Sequence, residues 1–189
     1  SNSDGSITST VQANTDAGFS IVTYNGEGDG QATVGHGLGV KPQVIIPKNR
    51  STTGSYHMYH EAIDASAPQN YGIILNSTNA RTDDHGFHND TAPTSSVFTI
   101  GTYNNFDNDY VAYCFAEVEG YSKFGSYTGN GNADGTFVYL GFRPAWFMVK
   151  RSDTGGVPWV ILDNKRNIFN PQNLELYPNT SGAEVSGGT

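Results

Sequence analysis

Hydrophobic residues along this chain come in short bursts set between long polar stretches, and no window carries the three-to-four spacing of an amphipathic helix. The bursts at 44–46 and 146–149 are too short for globular helices and lack helix caps, and those at 19–24, 71–75, 97–101, 110–119, 159–163 and 174–177 read as further strands. Their β-branched and aromatic content predicts strands, those of the bursts after each Gly-x-basic-Pro being buried ones. Pro47 interrupts its run and predicts an edge strand or a bulge there. Residues 1–17, rich in Ser, Thr, Asn and Asp, read as a polar linker or a lead-in strand completed by a neighbour, and Asn76–Asp90 as a long polar connection.

One stretch is used twice. Tyr24, Gly26, Gly28 and Asp29-Gly30 return as Tyr127, Gly129, Gly131 and Asp134-Gly135, and Gly39-Val40-Lys41-Pro42 returns as Gly141-Phe142-Arg143-Pro144, 102 residues on at the glycine. In each copy a strand runs into a glycine-rich turn, where Asp-Gly supplies the positive backbone angles of a hairpin. A segment ending at proline then leads to an apolar burst. The expected fold is all-β, built from tandem pseudo-repeated antiparallel β-sandwich-like lobes with glycine-rich turns: residues 1–17 lead in, 18–120 form the first unit and 121–189 the second. The second unit has 69 positions against about 102 in the first and lacks counterparts of 97–101 and 110–119. It is expected either to belong to a longer chain or to take strands from a neighbour, since a sheet without them exposes unpaired edges.

Composition narrows the function. The formal charge is −8 and the isoelectric point near 4.9, which argues against phosphate-driven nucleic-acid binding and against anionic membranes. No 18-residue apolar run or signal peptide is visible. The single cysteine, Cys114, allows no internal disulfide and reads as a buried thiol. The glycine-rich run Val34–Gly39 has no following G-K-[ST] and opens no helix, so it is not a phosphate loop, and His36 within it is expected to bond a turn.

Chemistry-bearing residues are scattered. His57 and His60, like His85 and His88, are three apart, a spacing that on a strand sends side chains to opposite faces and disfavours a zinc shell. The loop Thr102–Asp109 is dense in amides and carboxylates; Asp107 and Asp109 are its weak candidates for calcium, although Asx-rich loops also arise for turn chemistry alone. No other cofactor is expected. Glu117 and Glu119 share a strand face, and with Asp83, Asp84 and Asp163 they are among the scattered candidates for a glycosidase-like pair. Tyr56, Tyr59, Tyr103, Phe106 and Trp159 are the aromatics whose flat faces suit a sugar or a partner surface.

The runs Thr10–Tyr24, Val34–Val40, Tyr110–Gly131 and Gly141–Pro144 resemble a domain family of uncharacterised function in tailed-bacteriophage structural proteins, whose members are usually called tail fibre or minor virion proteins. The resemblance covers almost the whole chain from about residue 6 and is most specific over Tyr110–Gly131. It implies a virion setting, further strands after the C-terminus, and no catalytic motif. The expected function is therefore a virion structural protein, a tail fibre or tail-associated adhesion module. It would be held in a homo-oligomer or with other virion proteins, touch a host-surface glycan, and engage neither nucleic acid nor membrane. The alternative is a lectin-like carbohydrate-binding β-sandwich, followed by a polysaccharide-degrading tail enzyme; a lined groove would favour the lectin and a flat surface the scaffold.

Overall fold

Alternation of buried and half-exposed side chains builds most of the molecule. The computed structural model describes residues 1–28, 30–168 and 172–186; Asp29, half of one Asp-Gly turn signal, lies outside them, as do 169–171 and 187–189 at the end of the second unit. The strands are β1 (Thr10–Asn14), β2 (Phe19–Asn25), β3 (Ala32–Gly35), β4 (Val44–Asn49), β5 (His57–His60), β6 (Tyr71–Ile74), β7 (Thr82–Asp83), β8 (Val97–Ile100), β9 (Asp109–Phe115), β10 (Trp146–Val149), β11 (Val160–Asp163), β12 (Leu174–Glu175) and β13 (Val185–Ser186). Helix among the described residues is confined to two 3₁₀ turns, Pro68–Asn70 and Thr102–Asn104. The fold is all-β.

Seven strands form one antiparallel sheet in the order β1-β2-β9-β4-β5-β6-β7, and three two-stranded sheets, β3-β8, β10-β11 and β12-β13, accompany it. In β2, Ser20, Val22 and Tyr24 are buried while the residues between them are half-exposed; in β9, Tyr110, Ala112 and Cys114 are buried in the same alternation. The small side chains at the centre of this face leave room for Val34, Phe98 and Ile100 of β3 and β8, which pack over it in a sandwich-like first core. Tyr24 stacks on Tyr110 with ring centroids 5.1 Å apart and meets Phe98 edge-on. Burial lifts the Cys114 thiol to about 12, so it packs as an inert apolar group.

The other face of the sheet carries a second core. Ile45 and Tyr59 point into the first core, whereas Val44 and Met58 join Ile63, Ile73 and Trp159 in the second, flanked by Ile46, Phe115, Phe124 and Met148. Residues from beyond position 120 thus cover the outer face of the main sheet.

Three expectations change here. The glycine-rich turn after β2 closes no hairpin: β2 lies between β1 and β9, while β3 pairs with β8 in the opposing layer, so the connection crosses the sandwich. Pro47 sits inside β4, a strand with neighbours on both sides; β5 pairs only with Val44 and Ile45, so at Pro47 the ladder needs bonds to β9 alone. Residues 76–90 are not uniformly polar connection, because Phe87 and His88 turn inward and are buried. The lead-in does form a strand, β1, and Ile7 ahead of it is buried in the first core, bridged to Val34.

Candidate interaction surface

The Asx-rich loop before β9 is a clamp on the turn after β2. The Asn105 side-chain oxygen accepts from the Glu27 amide at 3.0 Å, the Asn105 carbonyl from the Gly28 amide at 2.7 Å, and the Asn108 carbonyl from the Gly26 amide at 3.0 Å. Tyr24 donates its hydroxyl to the Asn104 carbonyl at 3.2 Å. The approach is so close that a Cβ on Gly26 would stand 2.0 Å from the Phe106 carbonyl oxygen. Of the two calcium candidates, Asp109 accepts from the Asn25 amide at 3.4 Å and Asp107 lies exposed beside Gly28. Among the described residues no three His, Cys, Asp or Glu side chains converge as a metal site.

The histidines separate as strand geometry requires. His57 faces one way, bonding the Asn104 side-chain oxygen at 3.1 Å and packing against Phe87 and Tyr103; His60 faces the other, towards Phe124. His88 is buried against Tyr59, its Nε2 has no hydrogen-bond partner among the described residues, and burial drives its pKa down to about 3. Burial also lowers His36, His57 and His60. His36 closes its turn, accepting from the Leu38 amide at Nδ1 and meeting the Thr94 carbonyl at Nε2, both at 3.2 Å.

The five aromatic candidates do not meet. Tyr59, 1% exposed, belongs to the first core and donates to Glu61; Trp159 belongs to the second and donates its indole N–H to the Ile74 carbonyl at 3.2 Å. Tyr103 is partly exposed but fixed by the Asp84 carboxylate at 2.8 Å, and Tyr56 lies under the Lys48 ammonium, 4.9 Å from the ring centroid. Phe106 is exposed at the tip of the clamp loop.

The carboxylates are taken up locally. Glu117 pairs with Lys123 at 2.8 Å and accepts from the Phe124 amide at 2.9 Å, Asp84 holds Gly86 and Tyr103, and Asp163 is bound by Arg166 at 2.6 Å, which keeps its pKa near 2. Asp83 lies in the two-residue β7 and Glu119 is exposed. Two shallow grooves, about 460 and 250 Å³, flank β1. The first is lined by Gln12, Asn14, Phe19 and Ile21, the second by threonines with Asn25, Arg50 and Asp109. None of the five candidate aromatics lines either.

Most of the exposed large apolar side chains lie instead beyond residue 120 in the sequence. Phe137 is 86% exposed and Tyr139 79%, with Tyr127, Trp146 and Phe147 also in solvent. The burst 146–149 was expected as a buried strand; β10 instead exposes its first two residues, Trp146 and Phe147, and among the described residues it pairs with β11 alone. Between Tyr127 and Gly141 no strand forms. The segment is tied by Asx turns at Asn130 and Asn132 and by the Thr136 hydroxyl donating to the Thr128 carbonyl at 2.7 Å. Periodicity alone could not mark this surface, since an exposed burst and a buried one read alike.

These features define an all-β, sandwich-like protein with two apolar cores and several solvent-exposed aromatics beyond residue 120. All 189 residues match the model of a family described as a domain of unknown function (DUF7483), and the chain belongs to that family. No curated protein and no solved structure matches it.

Proposed function

We propose that the protein is a structural and adhesion module that works by surface contact and assembly, and that its setting is a bacteriophage virion, in a tail fibre or tail-associated protein. The observation that carries the assembly part is the set of aromatics left in solvent beyond residue 120, Phe137, Tyr139, Trp146 and Phe147, since large apolar side chains exposed in number are the material of contact sites. The virion setting rests on the resemblance of Thr10–Tyr24 and Tyr110–Gly131 to tail fibre and minor virion proteins. Binding to a host-surface glycan goes with that setting, in a homo-oligomer or beside other virion proteins.

The finer architecture belongs to the same proposal: two pseudo-repeated lobes with glycine-rich turns. Its support is backbone geometry. Gly18 and Gly120, Gly28 and Gly131, and Gly39 and Gly141 all adopt left-handed angles, at spacings of 102 or 103 residues. Strands β10, β11 and β12 begin 102, 103 and 103 residues after β4, β5 and β6.

Antibody raised against residues 1–189 and viewed by electron microscopy on phage particles tests the virion setting. Label on tails or fibres is expected; particles without label, with the protein confined to the soluble lysate, contradict it.

A further inference from the structure

We propose that Asn130 is a self-modifying site: the Gly131 amide closes on the Asn130 side chain, expels ammonia and leaves aspartate or isoaspartate in the exposed loop after Tyr127. Asn-Gly occurs twice in the chain, as Asn25-Gly26 and Asn130-Gly131. With no Cβ, glycine leaves its own amide nitrogen open to approach and lets the backbone swing towards the preceding side chain. Both pairs are reactive by sequence, and the fold separates them.

Exposure is not the difference, since Asn25 and Asn130 are both exposed. The nucleophile is. Gly26 is buried and its N–H donates to the Asn108 carbonyl at 3.0 Å. Asn25, the last residue of β2, lies opposite Asp109, whose carboxylate accepts from its side-chain amide at 3.4 Å. Ring closure there requires the clamp loop to open first. Gly131 is exposed, has a φ of 69°, and would meet nothing within 4 Å of an added Cβ. Its N–H has no acceptor among the described residues.

The group under attack is also held ready. The Asn132 amide donates to the Asn130 Oδ1 at 3.0 Å, and this is the oxygen on which negative charge gathers as the ring closes. The Asn130 Nδ2 donates to the Asp134 carbonyl at 2.8 Å, which fixes the orientation of the side-chain amide. Water is the only other reactant. The Gly131 nitrogen gives up its proton and bonds to Asn130 Cγ, the Cγ–Nδ2 bond breaks, and Nδ2 leaves with a proton as ammonia. Water then opens the cyclic imide at one carbonyl or the other, giving aspartate or isoaspartate. The ionised product can no longer donate to the Asp134 carbonyl. It adds one negative charge to the formal −8, in the segment that carries the exposed Tyr127, Phe137 and Tyr139. Neither the assembly reading nor the virion setting enters this inference.

The test holds the full chain at mildly alkaline pH, folded and in urea, and follows both Asn-Gly pairs by peptide mass spectrometry, with isoaspartyl methyltransferase as the probe for isoaspartate. In the folded chain Asn130 is expected to convert at least about tenfold faster than Asn25, with isoaspartate among the products, and in urea the two rates should converge. Asn130→Gln is expected to keep the melting temperature and to remove the acidic species seen on ion exchange. Four results would overturn the proposal: Asn25 keeping pace with Asn130 in the folded chain, Asn130 intact when folded but reacting in urea, aspartate formed without isoaspartate, or the acidic species persisting in the Asn130→Gln protein.

Discussion

Residues 1–120 and 121–186 both form antiparallel strands, yet the first part buries far more of its apolar side chains. Every buried hydrophobic residue of the two cores except Trp159 comes from 1–120, whereas most of the large exposed ones, Phe137, Tyr139 and Trp146 among them, come from beyond 120. The charges divide likewise: 1–120 holds 13 Asp and Glu against 4 Lys and Arg, and 121–189 holds 5 against 6. The lesson is that a strand pattern specifies which face is apolar but not what covers it. Strand β4 has β9 and β5 beside it; β10, with a burst at least as apolar, has only β11 among the described residues.

The sharpest way to break the comparison is at matched glycines. Gly26→Ala drives a methyl into the Phe106 carbonyl and is expected to cost at least about 4 kcal/mol, or to prevent folding. Gly129→Ala meets open space and should lie within about 0.5 kcal/mol of wild type in a urea titration. A cost at Gly129 equal to that at Gly26 would mean the two halves are packed alike.

The two tryptophans give the next contrast. Trp159→Ala empties part of the second core, leaves the Ile74 carbonyl only the Ser77 amide at 3.3 Å and is expected to cost about 3 kcal/mol. Trp146→Ala removes a solvent-facing ring and should cost under about 0.5 kcal/mol. Thermal melts of both variants decide it.

Acid sharpens the comparison further. All five histidines lie in 1–120 and four have lowered pKa values, His88 about 3. The folded state refuses protons that the unfolded chain accepts below about 6.5. Stability is therefore full above that pH and falls as pH drops, by about 1.4 kcal/mol per unit for His88 down to about pH 3. His36, His57 and His60 steepen the fall. His88→Phe should flatten the slope of urea midpoint against pH by one proton. In the second half Asp163 is depressed to about 2, so its tie to Arg166 holds until pH falls below the ordinary carboxylate range.

Much of the strand content was legible because each element carries its own signal: Ser20, Val22 and Tyr24 alternate inward, and Asn105 and Asn108 advertise turn chemistry. What those signals lack is the partner. Asp-Gly after β2 suggested a hairpin, but bonds from Gly26 and Gly28 to Asn108 and Asn105, some 80 positions away, route the chain across the sandwich instead. Tyr59 and Trp159 looked like contact aromatics because a core ring and a surface ring have the same letter; long-range packing buried both. His88 stood out in the sequence only for its spacing from His85, and it is the fold that places it against Tyr59.

Hydrogen exchange on the chain alone tests the central contrast most directly. The account predicts that amides of β2 and β9 stay protected for hours, while those of 127–141 exchange within seconds and β10 exchanges faster than β4. Equal protection of 127–141 and β2 would contradict it, because the second half would then already hold every strand it needs.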